Sequence, residues 1–376
     1  MKILFYCPDR HIQYEGAAPD VTGVGGGVTA RIRMAAALAG RGHEVTLIGN
    51  VPRPHRYEGV RYVPLGQWPG IAADVLVVHT SGGAVDIGET AVLPIEPRVR
   101  VLLLSGSIYP KGAADQHFDA IYSPSNFIAR AVRAQWPIRD VPVFVSDCGT
   151  IRAPLLYRLL THRHPKRMIY TSHPSKGLDA AIRLMRLLRE SDPGYQLHVF
   201  GGDALWGTAD RPPNPEPGLF YRGLVGQRQM AREYPRAGFA IHLQSREEPF
   251  GISLVEAMAA GCIVIASPTG SFTGLVKHEA DGYLVPGDPA EESTLRLAKQ
   301  FMLRQQSGLR RAAMKVPFSW ATLAGVWEAH FQLLLGDRHD QPARAVCREC
   351  GEKAIVLADG THCLVCSHYA RGPGGF

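Results

Sequence analysis

The sequence lacks several features that mark whole classes of protein. No apolar run reaches the roughly 20 residues of a membrane-spanning helix, and Met1–Cys7 has neither the length nor the cleavage site of a signal peptide. Of the 376 residues, 20% are charged and 45% are hydrophobic. Glycine (40) and proline (28) are spread through apolar segments, which excludes a disordered or collagen-like chain.

Cysteine is scarce in most of the chain. Of the seven, Cys7, Cys148 and Cys262 are scattered in apolar contexts, and the other four lie within the last thirty residues. This is not the disulfide framework of a secreted protein, so we expect a reducing cytoplasm. The net charge of +7 permits contact with a phosphate-bearing ligand, an anionic polymer or a membrane surface and selects none of them.

Two series of alternating strands and helices predict two α/β domains. The first opens with a strand at residues 2–7, a glycine run, a helix at 28–41 and a strand at 44–48, which is a βαβ unit of a parallel sheet. The second begins near residue 166, and a final helix is predicted at 319–335. We therefore predict an N-terminal domain (1–155), a second domain (156–317), a helix crossing back to the first domain (318–335), and a tether with a small cysteine-rich module (336–376).

The glycine run at residues 23–27 differs from a dinucleotide-binding fingerprint. It lies well after the first strand, it continues into Val28, and the second strand ends at Gly49-Asn50 without the acid that holds a ribose. The amides of Gly25, Gly26 and Gly27 could still face a phosphate or a sugar from a helix N-terminus. A flexible turn is the alternative.

The most informative segment is residues 245–261, S-R-E-E-P-F-G-I-S-L-V-E-A-M-A-A-G. Glu248 precedes a predicted helix, and Glu256 is predicted to lie about two turns inside it. The amides of Gly251, Ile252, Ser253 and Leu254 fall at the helix N-terminus, where a diphosphate would be held. One carboxylate can accept both hydroxyls of a ribose and the other can accept sugar hydroxyls. The alternative is a capped amphipathic helix with surface acids.

This acidic pair, within E-P-F-G-I-S-L-V-E-A-M-A-A-G, resembles that of the retaining GT-B glycosyltransferases of family 4. Four further segments resemble that family in the same order along residues 1 to about 335: the glycine run with R-G-H-E-V at 41–45, S-H-P-S-K-G-L at 172–178, G-L-V at 223–225, and D-G-Y-L-V at 281–285. The length and order of the resemblance disfavour the surface-acid alternative.

The resemblance implies a GT-B fold, with two Rossmann-like doubly wound domains facing a cleft. It implies a hexosyltransferase that takes a sugar from UDP or GDP with retention and with no metal at the catalytic site. Glu248, His79 and Lys176 become the candidate catalytic residues, with His79 facing the anomeric carbon or serving a merely structural role. The candidate donor-binding residues are Gly25, Gly26, Gly27, Ser172, Lys176, Gly223, Val225, Phe250, Gly251, Ile252, Ser253, Leu254 and Glu256.

One position departs from the family pattern. Where the family usually carries an arginine five residues before the lysine, this chain has Thr171. The sequence therefore does not identify the side chain that makes the second phosphate contact, and Arg246 and Arg222 are the two candidates for it.

The cysteine-rich module has the spacing of a zinc ribbon. Cys347 and Cys350 form one C-x-x-C pair, and Cys363 and Cys366 follow after twelve residues. Four thiolates suit a structural, tetrahedral Zn²⁺. An exposed redox pair is the alternative that this spacing disfavours. Cations and carboxylates balance between residues 336 and 376, so a protein contact is favoured over nucleic acid.

The acceptor stays open among a glycan, a lipid-linked sugar and a small molecule. The loop at residues 9–15 is a candidate acceptor contact or a solvent loop. Arg130, Arg133 and Trp136 share a predicted helix that leaves peripheral contact with the inner face of a membrane open, although a solvated face is favoured. A nucleotide-sugar epimerase and a protein recruited to nucleic acid through the zinc ribbon are the alternative functions.

Overall fold

The structure is a computed structural model that describes residues 1–81, 85–137, 141–151, 161–304 and 319–336, together with the backbone of four strands between 344 and 371. The chain forms two compact units. Unit 1 comprises residues 1–16, 26–149 and 318–376, and unit 2 comprises residues 17–25 and 150–317.

The secondary structure of the described residues alternates between strands and helices. The helices are α1 (Ala18–Val21), α2 (Gly26–Ala39), α3 (Asn126–Gln135), α4 (Leu178–Arg189), α5 (Gln227–Glu233), α6 (Ile252–Ala259), α7 (Phe272–Leu275), α8 (Glu292–Leu303) and α9 (Trp320–Leu335). The strands are β1 (Lys2–Tyr6), β2 (Glu44–Gly49), β3 (His55–Tyr57), β4 (Val60–Pro64), β5 (Val75–His79), β6 (Val99–Leu103), β7 (Ala120–Ser123), β8 (Val143–Val145), β9 (His164–Tyr170), β10 (Gln196–Phe200), β11 (Leu219–Gly223), β12 (Ala237–His242), β13 (Ile263–Ala266), β14 (Tyr283–Leu284), β15 (Arg344–Val346), β16 (Lys353–Leu357), β17 (Gly360–Cys363) and β18 (Tyr369–Arg371).

Unit 1 is built on an eight-stranded sheet with the order β3-β4-β2-β1-β5-β6-β7-β8. All its pairs are parallel except β3 with β4. Every residue of β5 and β7 is buried, as expected of parallel strands covered on both faces. Because β1, β5 and β6 are parallel neighbours, the polar residues that follow them meet at one edge of the sheet.

Helix α9 packs within unit 1 although it follows unit 2 in the sequence. The Ser319 hydroxyl caps its first turn by accepting the Thr322 N–H at 3.0 Å. The Trp327 ring lies 6.3 Å from Phe5 and 4.6 Å from Tyr122 between ring centroids, and its Nε1 donates to Ser146 Oγ at 3.1 Å. The helix thus supplies part of the aromatic core of unit 1.

Unit 2 contains a six-stranded, wholly parallel sheet with the order β11-β10-β9-β12-β13-β14. Apolar residues of α4 and α8 cover one face, including Leu184, Met185 and Leu295. Residues 17–25 also belong to this unit, and the Gly226 N–H donates to the Val21 carbonyl at 3.2 Å. The sequence pattern gives no sign of that association.

The C-terminal segment contains an antiparallel sheet with the order β15-β16-β17-β18. Cys363 is buried at the end of β17, whereas Cys347, Cys350 and Cys366 lie outside the described residues. Within the described part of the chain, no group of three or more metal-ligating side chains is found. No described helix is both long and apolar enough to cross a bilayer.

The residues of and beside α3 for which membrane contact was left open, Arg133 and Trp136, are engaged within unit 1. Trp136 is buried, and its Nε1 donates to the Ser107 carbonyl at 2.9 Å. The Arg133 guanidinium donates to the Val143 carbonyl at 2.7 Å. The tryptophan therefore serves the core of unit 1 and is unavailable as a membrane anchor.

Candidate functional site

Two predicted catalytic side chains meet in unit 2. Lys176 ends a 3₁₀ turn (Pro174–Lys176) that follows β9, and Glu248 lies in the loop between β12 and α6. The Lys176 Nζ lies 2.7 Å from Glu248 Oε2, and both side chains are largely buried. The sequence places these residues 72 positions apart, so the carboxyl-end geometry of the parallel sheet is what joins them.

Two glycines allow the backbone to approach this closely. Gly177 has φ +93°, and a Cβ there would lie 1.8 Å from the Leu243 carbonyl oxygen. Gly270 has φ +58°, and a Cβ there would lie 2.4 Å from the backbone nitrogen of Glu248. Any other residue would push the Lys176 turn or the Glu248 loop away from its neighbour.

The N-terminus of α6 lies directly after this loop. Gly251 precedes the helix, Phe250 is buried, and the Leu254 N–H donates to the Gly251 carbonyl at 3.0 Å. Leu254 is therefore already satisfied within the turn. The N–H groups of Ile252 and Ser253 belong to the first turn, where a helix has no acceptor of its own for them.

Glu256 lies within α6, is buried, and faces the start of α5. Its Oε1 accepts from Gln227 Nε2 at 2.5 Å. Gln227 follows Gly223 and Val225 closely in sequence, so the predicted ribose carboxylate lies beside the predicted base loop. Ser172, just after β9, lies against Gly201 at the end of β10, where a Cβ at Gly201 would be 2.7 Å from the Ser172 carbonyl oxygen.

Two histidines beside Lys176 are kept neutral. Burial and, as the smaller cause, the charge of the Lys176 ammonium lower the pKa of His242 to about 3. Burial also lowers the pKa of His173. The charge of Asp203, whose Oδ1 lies 3.6 Å from His173 Nε2, opposes this shift, and the charges of Lys176 and Arg246 reinforce it. At neutral pH the positive charge at this edge of unit 2 therefore comes from lysine, arginine and the helix terminus.

Unit 1 carries a second polar cluster at the carboxyl edge of its sheet. Asp9 and Arg31 form a buried bidentate pair with N–O distances of 2.5 and 2.6 Å, and the Ser81 hydroxyl donates to Asp9 Oδ2 at 2.7 Å. Burial alone would raise the pKa of Asp9, but the Arg31 hydrogen bonds and charge hold that pKa well below its usual range. Asp9 is thus a buried anchor of the 9–15 loop.

His79 lies in the same region, as the last residue of β5. Its ring is fully buried, its Nε2 is 2.9 Å from Ser105 Oγ, and burial lowers its pKa to about 3. Gly27, in the first turn of α2, approaches Ser105 so closely that a Cβ would lie 3.0 Å from its hydroxyl. His79 therefore reaches the partly exposed edge of the sheet through Ser105, and Gly26 and Gly27 open α2 beside it.

A family comparison covers the second half of this arrangement. Residues 168–314, which include Lys176, Glu248 and Glu256, match the family described as glycosyl transferases group 1. Residues 168–314 form a group 1 glycosyltransferase domain. A D-inositol 3-phosphate glycosyltransferase of Streptomyces griseus is 28% identical over 46% of this chain and 39% of its own length. A GDP-mannose:cellobiosyl-diphosphopolyprenol alpha-mannosyltransferase of Xanthomonas campestris is 29% identical over 45% of this chain and 47% of its own length. The chain thus spans less than half the length of these relatives.

Solved glycosyltransferases share the fold. Sucrose-phosphate synthase from Thermosynechococcus elongatus has a TM-score of 0.66 at 17% identity, covering 90% of this chain and 100% of its own. The Anabaena protein HepE in complex with UDP-glucose has a TM-score of 0.62 at 16% identity over the same shares. The expected GT-B glycosyltransferase fold is confirmed by these neighbours and by the α/β sheets of both units.

Several residues of the two clusters are not singled out by the sequence. Gln227, Ser105 and Ser81 are ordinary polar residues with no distinctive spacing, and only the fold brings them to Glu256, His79 and Asp9. Trp206 offered a weak signal, since a tryptophan in a glycine- and proline-rich loop needs an explanation. Its ring stacks on His173 with 3.6 Å between centroids.

Proposed function

We propose that this protein is a retaining glycosyltransferase that moves a sugar from UDP or GDP to an acceptor. The observation that carries the proposal is the convergence of Lys176, Glu248 and Glu256 around the first turn of α6. The chemistry breaks the bond between the anomeric carbon and the diphosphate oxygen, whose electron pair leaves with the nucleotide. The acceptor oxygen bonds to the same face of the carbon, and its proton passes to the departing diphosphate oxygen.

Each donor-side residue has a task in this proposal. Glu256 accepts the ribose hydroxyls, and Glu248 accepts hydroxyls of the donor sugar. The amides at Gly251–Ser253 and the Lys176 ammonium stabilise the diphosphate as negative charge grows on it. With a lysine and a helix terminus in that role, a catalytic metal ion is not required. The relative named as a GDP-mannose enzyme and the neighbour bound to UDP-glucose support a nucleoside-diphosphate donor.

Unit 1 is proposed to receive the acceptor. The Gly26 and Gly27 amides and Ser105 lie at the carboxyl edge of its sheet, whereas Gly25 belongs to unit 2, where a Cβ would lie 3.0 Å from the Leu205 carbonyl oxygen. The neutral His79 ring would act on the reacting sugar through the Ser105 hydroxyl. Residues 1–155 would then form the acceptor side and residues 156–317 the donor side. A glycan, a lipid-linked sugar and a small molecule stay candidates for the acceptor, and a cytoplasmic site of action fits the scattered thiols.

Thermal melting with a panel of UDP-, GDP-, ADP-, TDP- and CMP-sugars tests the donor site, because a ligand that binds only the folded state raises the melting temperature. We expect one nucleotide to raise the melting temperature of the unaltered protein and of Glu247→Ala, and to lose that effect in Glu256→Ala. Glu247 is exposed on the same loop and is the matched control. Absence of any shift would sink the proposal. Transfer to an added acceptor, rather than isomerised donor, separates it from an epimerase.

We also propose that the C-terminal segment binds a structural Zn²⁺ through Cys347, Cys350, Cys363 and Cys366. The supporting observation is topological. In the antiparallel order β15-β16-β17-β18, the connections β15–β16 and β17–β18 join strands at the same end of the sheet. Val346 pairs with Lys353, and Cys363 pairs with Ala354, so both C-x-x-C segments start from adjacent strand ends.

Metal analysis of the purified protein tests the zinc proposal. We expect one equivalent of zinc per chain, released by a mercurial that caps thiolates, and reduced in Cys347→Ser. Cys148→Ser, at a buried cysteine of unit 1, is the control and should retain the metal. A chain that carries no zinc after expression in zinc-supplied cells would contradict the assignment.

A further inference from the structure

The positive charge that unit 2 offers to a diphosphate is smaller than the presence of Lys176 suggests. The Lys176 ammonium is already paired with Glu248 at 2.7 Å, so the pair has no net charge. The first turn of α6 contributes roughly half a positive charge. Thr171, just after β9, is neutral. A donor whose two phosphates both carry negative charge therefore needs a further cation.

Arg246 is fixed close to this pair. It lies two residues before Glu248 on the same loop, and the carbonyl of Arg246 accepts from the buried Gln244 amide at 2.8 Å. Its Cζ lies 5.0 Å from the centroid of the Trp206 ring, at cation–π distance. That ring in turn stacks on His173, with 3.6 Å between centroids and 13° between planes.

The stack connects Arg246 to the turn that carries Lys176. His173 Nδ1 accepts the Ser175 N–H at 3.2 Å, and the Lys176 N–H donates to the His173 carbonyl at 2.8 Å. The charges of both Lys176 and Arg246 are felt by the His173 imidazole. The opposing charge of Asp203, whose Oδ1 lies 3.6 Å from His173 Nε2, reaches the same ring. The aromatic stack of Trp206 on His173 limits how far the Arg246 guanidinium can move.

The Arg246 guanidinium is also available to a ligand. Its side chain is exposed, and among the described residues no carboxylate lies within salt-bridge distance of it. An arginine that is oriented by an aromatic ring and lacks an acidic partner loses little on meeting a phosphate, and its planar fork suits two phosphate oxygens.

Arg222, the other candidate, belongs to a different cluster. Its Cζ lies 5.4 Å from the Phe220 ring centroid, and Phe220 stacks on His198 with 4.8 Å between centroids. His198 lies on β10, and Phe220 lies on the neighbouring edge strand β11. No described contact joins this cluster to His173, Lys176 or Glu248.

We propose that Arg246 is the second diphosphate-binding cation of the donor site, and that Trp206 and His173 are positioning residues that aim its guanidinium. The inference rests on the proposed function. It adds the residue that supplies the second phosphate contact, which the neutral Thr171 cannot supply. It also assigns a purpose to the loop that carries Trp206, which the proposed reaction otherwise leaves unused.

Binding of a nucleoside and of its diphosphate separates a phosphate contact from a general defect. With the base selected by the melting panel, we expect Arg246→Gln to weaken binding of the nucleoside diphosphate by about tenfold or more. Binding of the free nucleoside should change by less than about twofold, because Glu256 and the 223–225 loop hold that part. Arg222→Gln removes the same charge from the same unit and should leave both affinities unchanged.

Trp206→Leu and Arg246→Lys test the positioning role. Loss of the stack should weaken diphosphate binding by less than the loss of the guanidinium, again with the nucleoside unaffected, and lysine should restore part of the affinity. Equal diphosphate affinity in Arg246→Gln and the unaltered protein would overturn the inference while leaving the proposed function standing. If the unaltered protein binds no nucleoside diphosphate, both fail.

Discussion

At the scale of the residue, the paired Lys176 and Glu248 define what the donor site can do. The lysine balances the charge of a largely buried carboxylate whose other partner, the Gln244 amide, is neutral, and it lies where charge is proposed to grow on the leaving diphosphate. The pair therefore links the stability of the site to its chemistry, and the two effects can be separated by kinetics.

Lys176→Met should lower turnover more than it weakens donor binding. We expect a fall in kcat of about a hundredfold, the size typical of losing one group that stabilises transition-state charge, with a smaller rise in donor KM. Steady-state transfer assays measure both. The control is Lys277→Met, an exposed lysine of unit 2. A variant that raises donor KM alone would assign Lys176 to ground-state binding instead.

Gly177 is the residue on which the Lys176 turn depends most. Gly177→Ala would place a Cβ 1.8 Å from the Leu243 carbonyl oxygen at φ +93°, so we expect a loss of about 3 kcal/mol or more in the unfolding free energy of unit 2. Urea denaturation measures it. Gly274→Ala, where a Cβ would meet no atom within 4 Å, should change stability by far less. Equal losses in the two variants would refute the steric argument.

At the scale of the element, the regular alternation of strands and helices was predictable and the long-range pairings were not. The apolar run Val75–Val78 predicts a strand, because a parallel strand that is buried on both faces consists of apolar residues. The helix that begins at Leu178 is predicted by apolar residues three and four positions apart, because one side of the helix is buried. The packing of residues 17–25 with unit 2 depends on contacts far apart in sequence, and no local pattern records it. The hairpin of β3 and β4, in contrast, has a local signal, because Glu58 and Gly59 form its two-residue turn with φ of +47° and +79°.

The candidate site divides in the same way. Glu248, Glu256 and Lys176 could be found from the sequence because their spacing follows from a strand end and a helix start. The buried Asp9–Arg31 pair and the Ser105 hydroxyl on His79 could not be found, because each joins elements whose order in the sheet is unknown until the chain folds.

Helix α9 gives a prediction about unit 1. Trp327→Ala removes a ring that contacts Phe5 and Tyr122 and donates to Ser146, so we expect a loss of about 3–5 kcal/mol in the unfolding free energy of unit 1. Near-ultraviolet circular dichroism during urea denaturation follows it. Gln332→Ala, at a partly exposed position of the same helix, is the control. Unaltered stability of unit 1 would mean that α9 is dispensable to its core.

At the scale of the whole molecule, four buried histidines make stability depend on pH. Burial lowers the pKa of His79, His198, His242 and His330 to about 3 in each case. In the unfolded chain these groups titrate near 6.5, so below that pH the unfolded state binds protons that the folded state refuses. Stability is therefore full above about pH 7 and falls as the pH is lowered from 6.5 towards 3.

The expected loss is about 1 kcal/mol per histidine at pH 5.5, and urea midpoints at pH 7.5 and 5.5 measure it. His330→Gln, which keeps a polar group near the Tyr122 hydroxyl, should reduce the acid-induced loss by about a quarter. A midpoint that is the same at both pH values would show that the four rings are not held neutral.

The position of α9 in the chain also bears on how the protein is made. Unit 1 begins at Met1, but Trp327 and Phe331 of its aromatic core are synthesised only after unit 2. Domains usually fold in the order in which they leave the ribosome. Here residues 150–317 can close their sheet while unit 1 still exposes the groove that awaits α9. The first unit to be translated is therefore the second to be completed.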